Sequence, residues 1–298
     1  MIKIIASMLL LIISTYSSAG LIYSAYNGSE NGITVRDAAT LNQTNYFSLG
    51  FVVDNVAAGD NNDMFLTSGN SIYHYSNTGT QLNSFTWSSG TISYQGISFS
   101  ADGNLFYTAY NASENGITVR DTTTLNQTAY FSLDFAVDNV AAGDNNDMFL
   151  TSGNNIYHYS NAGTQLDSFS WSTETISYEG VSFAVGDNSF YTVYNGSENG
   201  ITVRDSTTLN QTAYFSLDFA VDDVAAGDNN DMFLTSSNSI YHYSNTGTQL
   251  NKFSFDNTNI SYAGISFAAS AIPEPSTLAI FALGLLGLIS CRLNKQLK

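Results

Sequence analysis

One cysteine, two prolines and eight basic residues in 298 positions are the scarcities of this chain. The cysteine, Cys291, stands near the C-terminus, so no intrachain disulfide can form and the fold must rest on its apolar core. Both prolines, Pro273 and Pro275, lie in the same terminal segment. Apolar stripes of helical period are missing from the long middle region, which removes helical architectures from consideration. Lysine and arginine number 8 against 25 Asp and Glu, a net charge of −17. Four of the bases (Lys3, Arg292, Lys295, Lys298) sit at the two ends. Between them Arg36, Arg120, Arg204 and Lys252 face 24 acids, a charge of −20. Nucleic acids and anionic membranes are repelled by such a surface. Divalent cations, basic proteins and neutral sugars remain as partners, as does a charge that serves solubility alone.

What fills the middle is repetition. The run Tyr26-Asn27-Gly28-Ser29-Glu30-Asn31-Gly32-Ile33-Thr34-Val35-Arg36-Asp37 recurs from Tyr110 and from Tyr194, a period of 84 residues, and three periods from Leu21 end at Ile272. Each period holds two weaker copies of one unit, offset by 41 and 43 residues. Thr, Tyr, Phe, Val and Ile are plentiful, and Asn, Asp, Gly and Ser cluster at the junctions, as strands and tight turns require. In the second unit the pattern predicts strands A to D over 52–58, 64–68, 71–76 and 81–87. Four short strands per unit of about 42 residues are a propeller-blade signature.

Six B strands can be counted, near Ile22, Met64, Phe106, Met148, Phe190 and Met232. The first unit lacks an A strand, and an A strand is left over at 263–268. Pairing the two closes the ring and removes the exposed edges. The expected fold is therefore an all-β, six-bladed β-propeller of three double-blade repeats, closed by a C-terminal A strand, over 20–272. The competing architecture is an extended array of 84-residue β-domains. The run Gly96-Ile97-Ser98-Phe99-Ser100-Ala101-Asp102-Gly103-Asn104-Leu105-Phe106 resembles that of NHL-type six-bladed propellers, a generic likeness that implies no particular activity. A closed ring of this kind is expected to be monomeric.

The two ends read as addresses. Met1-Ile2-Lys3, an apolar stretch over 4–13 and Ser17-Ser18-Ala19 form a signal peptide, 1–19, expected as a helix. At the other end, Pro273-Glu274-Pro275 precedes about 16 apolar or small residues, then Arg292 and further lysines. A spanning helix needs about 20, so the segment is a marginal, transient membrane anchor. This order over 273–298 resembles a PEP-CTERM sorting signal, with a hydrophobic helix as its core. The resemblance implies export from a Gram-negative cell, processing by an exosortase and residence at the outer surface or in an exopolysaccharide matrix.

Candidate sites follow from the propeller geometry. The A strands line the channel, and the residues expected to open them are Asp54, Gln95, Asp138, Glu179, Asp222 and Ala263, with Asn55, Asn139 and Asp223 next in alternate blades. Carboxylates at Asp54, Asp138, Glu179 and Asp222 converging on one axis would suit Ca2+, which takes hard oxygen ligands. Tyr26, Tyr110 and Tyr194 stand beside loops carrying Glu30, Glu114 and Glu198, an aromatic and acidic combination that can hold sugars. The Gly-Asp-Asn-Asn-Asp runs after Gly59, Gly143 and Gly227 lack the spacing of an EF-hand and read as turns. His74, His158 and His242 sit where the paired half-repeat has valine, and read as packing residues. The sequons at Asn27, Asn42, Asn111, Asn126, Asn195, Asn210 and Asn259 read as polar turns. With no serine or cysteine nucleophile motif, the sequence points to a non-catalytic interaction protein. A metal-dependent hydrolase or lyase, and a structural matrix protein binding cations diffusely, are the alternatives.

Overall fold

A computed structural model describes residues 20–269, apart from 60, 61, 89–91, 101, 173–175, 185, 186 and 258. Within them the chain forms 24 strands in six antiparallel four-stranded sheets. The first blade takes its A strand, Ile260–Ala268, from the far end of the repeats and pairs it with Leu21–Gly28, followed by Asn31–Asp37 and Gln43–Leu49. Blade two runs Asn55–Ala58, Met64–Ser68, Ser71–Tyr75 and Gln81–Thr86. The remaining A strands are Ser93–Phe99, Asn139–Ala142, Ile176–Ala184 and Asp223–Ala226. Each A strand contacts the next, and the sixth returns to the first, so the six close a circle. This is a six-bladed propeller. The expected signal helix (1–19) and C-terminal hydrophobic helix (within 273–298) lie outside the described residues. Among the described residues no helix is long and apolar enough to cross a membrane.

The core is divided among the six blade junctions. Tyr23, Ile33 and Val35 of blade one meet Val56, Met64 and Leu66 of blade two, and equivalent clusters recur around the ring. Side chains of alternate residues on each strand serve the junctions on either side, so a blade without neighbours would expose both faces. Hydrogen bonds cross the junctions too. The amides of Ala58, Ala142 and Ala226 donate to the hydroxyls of Ser266, Ser98 and Ser182 on the neighbouring inner strand.

Three of the four basic residues between the termini are not on the surface. Arg36, Arg120 and Arg204 are 1%, 0% and 0% exposed. Each guanidinium lies over a phenylalanine of the preceding blade (Phe253, Phe85, Phe169) at 3.4 to 3.7 Å. Each also donates to the carbonyl of a leucine in its own C–D loop, at 2.7 to 2.8 Å. Those leucines, 41, 125 and 209, hold φ near +57°, so the arginine secures a turn the leucine would not choose alone. Burial lowers the guanidinium pKa in all three. Lys252 is left as the one exposed lysine or arginine among the described residues.

A tryptophan completes two of these junctions. The indoles of Trp87 and Trp171 donate to the hydroxyls of Tyr94 and Tyr178 at 2.6 and 2.5 Å. At the third junction the equivalent residue is Phe255, and the buried Tyr262 hydroxyl, although in the field of Arg36, makes no hydrogen bond of ordinary geometry. Phe255→Trp is therefore expected to stabilise the protein by about 1 kcal/mol, the net worth of one such bond. The shift in urea midpoint at constant slope measures it. An unchanged midpoint would mean that the larger ring costs in packing what the bond returns.

Candidate functional site

The outer rim carries a threefold repeated aromatic site on the face of the B–C loops. Tyr26, Tyr110 and Tyr194 are the residues expected there, and the structure buries them at 2%, 5% and 4% exposure. Their rings are covered by Tyr46, Tyr130 and Tyr214 from strand D, stacked at 6.1 to 6.3 Å and within 22° of parallel. These covering tyrosines, not the expected ones, are exposed, at 38%, 38% and 37%. Thr34, Thr118 and Thr202 of strand C pair across from them. Strand alternation sends Phe47, Phe131 and Phe215 to the opposite junction and so turns the tyrosines to this one. The Tyr46 hydroxyl donates to Glu30 at 3.0 Å, and that of Tyr214 to Glu198 at 3.3 Å. Glu114 acts electrostatically on Tyr110 at the remaining copy. Burial first, then the neighbouring tyrosine and glutamate, pushes the phenols of Tyr26, Tyr110 and Tyr194 well above their usual range. All three therefore stay neutral hydrogen-bonding groups in ordinary conditions. The tyrosines expected from the sequence thus lie beneath a second, exposed tyrosine that the sequence reading did not single out. The usable signal was the exposed alternation of strand D.

At the axis the expected carboxylates take two different places. Asp54, Asp138 and Asp222 precede their A strands and accept the amides of Gly69, Gly153 and Ser237 in the B–C turn of the same blade, each at 2.6 Å. Those turn residues have φ of +55°, +56° and +52°, which glycine adopts freely and Ser237 does not. Burial raises the three carboxyl pKa values and the amides oppose it. Glu179 is the extra residue of a β-bulge, as the register shows between Tyr178 and Gly180; Gln95 and Ala263 hold the same position in blades three and one. Burial first, then the charges of Asp138 and Asp222, pushes the Glu179 carboxyl up. These groups feel one another, yet no three His, Cys, Asp or Glu among the described residues stand close enough to share a metal ion.

One residue further in, Asn55, Asn139 and Asp223 form a buried polar triad from alternate blades, each 5% or 6% exposed. Each side-chain oxygen accepts the amide of the following valine at 2.7 to 2.8 Å. The space beside each is kept by Gly264, Gly96 or Gly180, where an added Cβ would come within 2.8 Å of the side-chain oxygen. The triad spans the axis, since Asn139 Nδ2 donates to Asp223 Oδ1 across two blades at 3.3 Å. Asp223 also accepts the Ile265 amide at 3.1 Å. Burial nevertheless pushes its carboxyl up to about 7.

The Gly-Asp-Asn-Asn-Asp runs are A–B turns. In the first, the amide of Gly59 donates to Asp63 and that of Asn62 to Gly59, with Asn62 at φ +56°. Tyrosines 23, 107 and 191 of the neighbouring blade donate to the carbonyls of Asn62, Asn146 and Asn230. His74, His158 and His242 stack on Phe65, Phe149 and Phe233 and pair through Nε2 with Asp63, Asp147 and Asp231 at 2.5 Å. They are packing residues with an anionic partner that the sequence pattern did not reveal. The sequon residues Asn27, Asn111 and Asn195 are engaged internally. Each side chain donates to the carbonyl and accepts from the amide of Val53, Val137 or Val221, as a neighbouring strand would.

With this geometry in view, residues 271–295 match the PEP-CTERM protein-sorting motif. The motif indicates export, processing by an exosortase and a membrane-anchored precursor that becomes surface-associated. No curated protein matches the chain. Among solved structures it is similar to a protein of unknown function from Bacteroides caccae, with a TM-score of 0.65 and 10% identity over 84% of this chain and 99% of that one. It is also similar to a functionally unknown protein from Desulfotomaculum acetoxidans, with a TM-score of 0.58 and 12% identity over 85% of this chain and 99% of the other. At such identities the likeness is one of fold.

Proposed function

We propose that this is a non-catalytic binding propeller whose tyrosine rim holds a neutral, hydroxyl-rich polysaccharide at the cell surface. The observation that carries the reading is the threefold repetition of an exposed tyrosine stacked on a buried one at a glutamate-bearing loop: Tyr46 bonded to Glu30, Tyr214 bonded to Glu198, and Tyr130 over Tyr110, on which Glu114 acts. An aromatic face stacks on the apolar side of a sugar ring, and a carboxylate accepts its hydroxyls. Three such faces on one rim suit a polymer that offers the same sugar many times, because the second and third contacts form at high effective concentration. The surface charge supports a neutral polymer over an anionic one, with Lys252 as the sole exposed basic residue among those described.

Affinity electrophoresis through gels containing neutral glucans or galactomannans tests this. Wild type is expected to be retarded. Any one of Tyr46→Ala, Tyr130→Ala or Tyr214→Ala should weaken retention several-fold, and the triple substitution should lower it by about two orders of magnitude, the usual scale of lost avidity. Each single substitution removes one stacked pair, so melting should fall only slightly, by the equivalent of about 1 kcal/mol. Equal retention of the triple variant and wild type would overturn the rim as the binding face.

A further inference from the structure

The three junctions from an even blade to the next odd blade differ, beyond the Trp-to-Phe exchange at residue 255, in the side chain that bridges their outer strands. At the first, Asn83 Nδ2 donates to the carbonyl of Thr123 in the C–D loop of blade three, at 3.5 Å. At the last, Asn251 Nδ2 donates to Thr40 of blade one at 3.0 Å. Both side chains are oriented by their Oδ1, which accepts the next residue's amide at 2.8 Å. Between blades four and five the residue is Asp167, and its Oδ1 accepts the Ser168 amide at the same 2.8 Å. The carboxylate is thus held as the carboxamides are. By analogy with Asn83 and Asn251, its second oxygen stands in the place of their donating nitrogen, toward the loop whose counterpart supplies a carbonyl oxygen at the sister junctions. Two acceptors oppose each other, and the bridge that closes the sister junctions cannot form.

A cavity of about 480 Å³ opens at this junction. Asp167 and Thr207 line it from the two blades, with Asp144, Asp147, His158 and Phe183. Asp147, paired to His158 through Oδ2, keeps a buried Oδ1 without a hydrogen-bond partner. No lysine or arginine reaches the cavity. Its volume suits a small molecule. We propose that this groove binds a small organic compound bearing a primary ammonium group, whose N–H donors bridge the Asp167 carboxylate and the facing loop carbonyl while Phe183 and the exposed Leu166 cover its carbon body. An ammonium supplies what the site lacks, positive charge and several donors on one atom. The groove is formed by the A–B and C–D loops, on the face away from the tyrosine rim, so it stands or falls separately from the polysaccharide reading.

Calorimetric titration with cadaverine, a dication of two primary ammonium groups, at low ionic strength tests the site, with tetramethylammonium at twice the concentration as a cation that has no N–H donor. Wild type should bind cadaverine at one saturable site, and tetramethylammonium should not compete. Asp167→Asn installs the residue native to both sister junctions, so the variant should fold and melt as wild type does, and it should bind cadaverine at least ten-fold more weakly. The substitution removes one acid of 25, too small a change to alter diffuse attraction to the same degree. Unsaturable uptake, equal competition by tetramethylammonium, or unchanged cadaverine affinity in the variant would each overturn the proposal.

Discussion

At pH 8 the Asp223→Asn protein is expected to be more stable than wild type by about 3 kcal/mol, and near pH 4 the two should be almost equal. In the folded protein the Asp223 carboxyl keeps its proton up to about pH 7, against 3.8 for the free group. Between these values unfolding releases a proton, so wild-type stability falls as pH rises through the window and stays low above it. The whole effect corresponds to about 4 kcal/mol, and asparagine, with no proton to lose, escapes it. About 1 kcal/mol is given back because the Ile265 amide loses its acceptor. The new amide nitrogen has a place to go. Asn55 Nδ2 points at the Gln95 carbonyl at 3.4 Å, and threefold symmetry puts the Ala263 carbonyl in that position for residue 223. Urea midpoints of both proteins at pH 4, 6 and 8 decide it. A difference that does not vary with pH would place its origin in shape and not in charge.

Removing one whole period, residues 105–188, is expected to abolish the cooperative fold. The deletion joins the A strand of blade three to the B strand of blade five through a turn of native length, so every surviving blade keeps four strands. What changes is the circle of inner strands, each of which now meets its neighbour at the wrong angle or leaves a gap. An open gap exposes two blade faces whose apolar residues are buried in the intact ring. The loss exceeds the 5–15 kcal/mol by which a typical domain is stable. Size-exclusion chromatography should show aggregates, and calorimetry no single sharp transition. A soluble monomer melting near the wild-type temperature would mean that the double blades stand alone, as in a bead-like array.

Much of this fold is legible from alternation and turn residues. The B strand expected over 64–68 is found at Met64–Ser68, and strands C and D end one residue short of expectation. Strand A was expected from residue 52 and begins at Asn55, because Val53 spends its backbone groups on the Asn27 side chain. A side chain imitating a strand leaves no periodic trace. Nor do the bulges at Gln95, Glu179 and Ala263, which fall in the shorter, 41-residue half of each period and so do not lengthen it visibly. Asp54, Asp138 and Asp222, read as opening the A strands, stand one residue before them, and the rim glutamates lie between strands B and C. Their partners were hidden, since Asp54 to Gly69 and Tyr46 to Glu30 are contacts set by turn geometry. Nor does the sequence announce that Arg36, Arg120 and Arg204 are buried, as a charged residue on a strand is ordinarily a solvated one.

The pairing of the first and last strands, Leu21 against Ala268, sets an order of events. The two partners lie almost the full length of the repeats apart, and no earlier strand can substitute for the missing one in blade one. Two complete periods of the chain are made before the strand that closes the circle. The final strand ends five residues before Pro273, so the clasp becomes available only as the sorting motif itself arrives. A chain ending before residue 260 would lack the one strand that fills the first blade, and its ring would stay open.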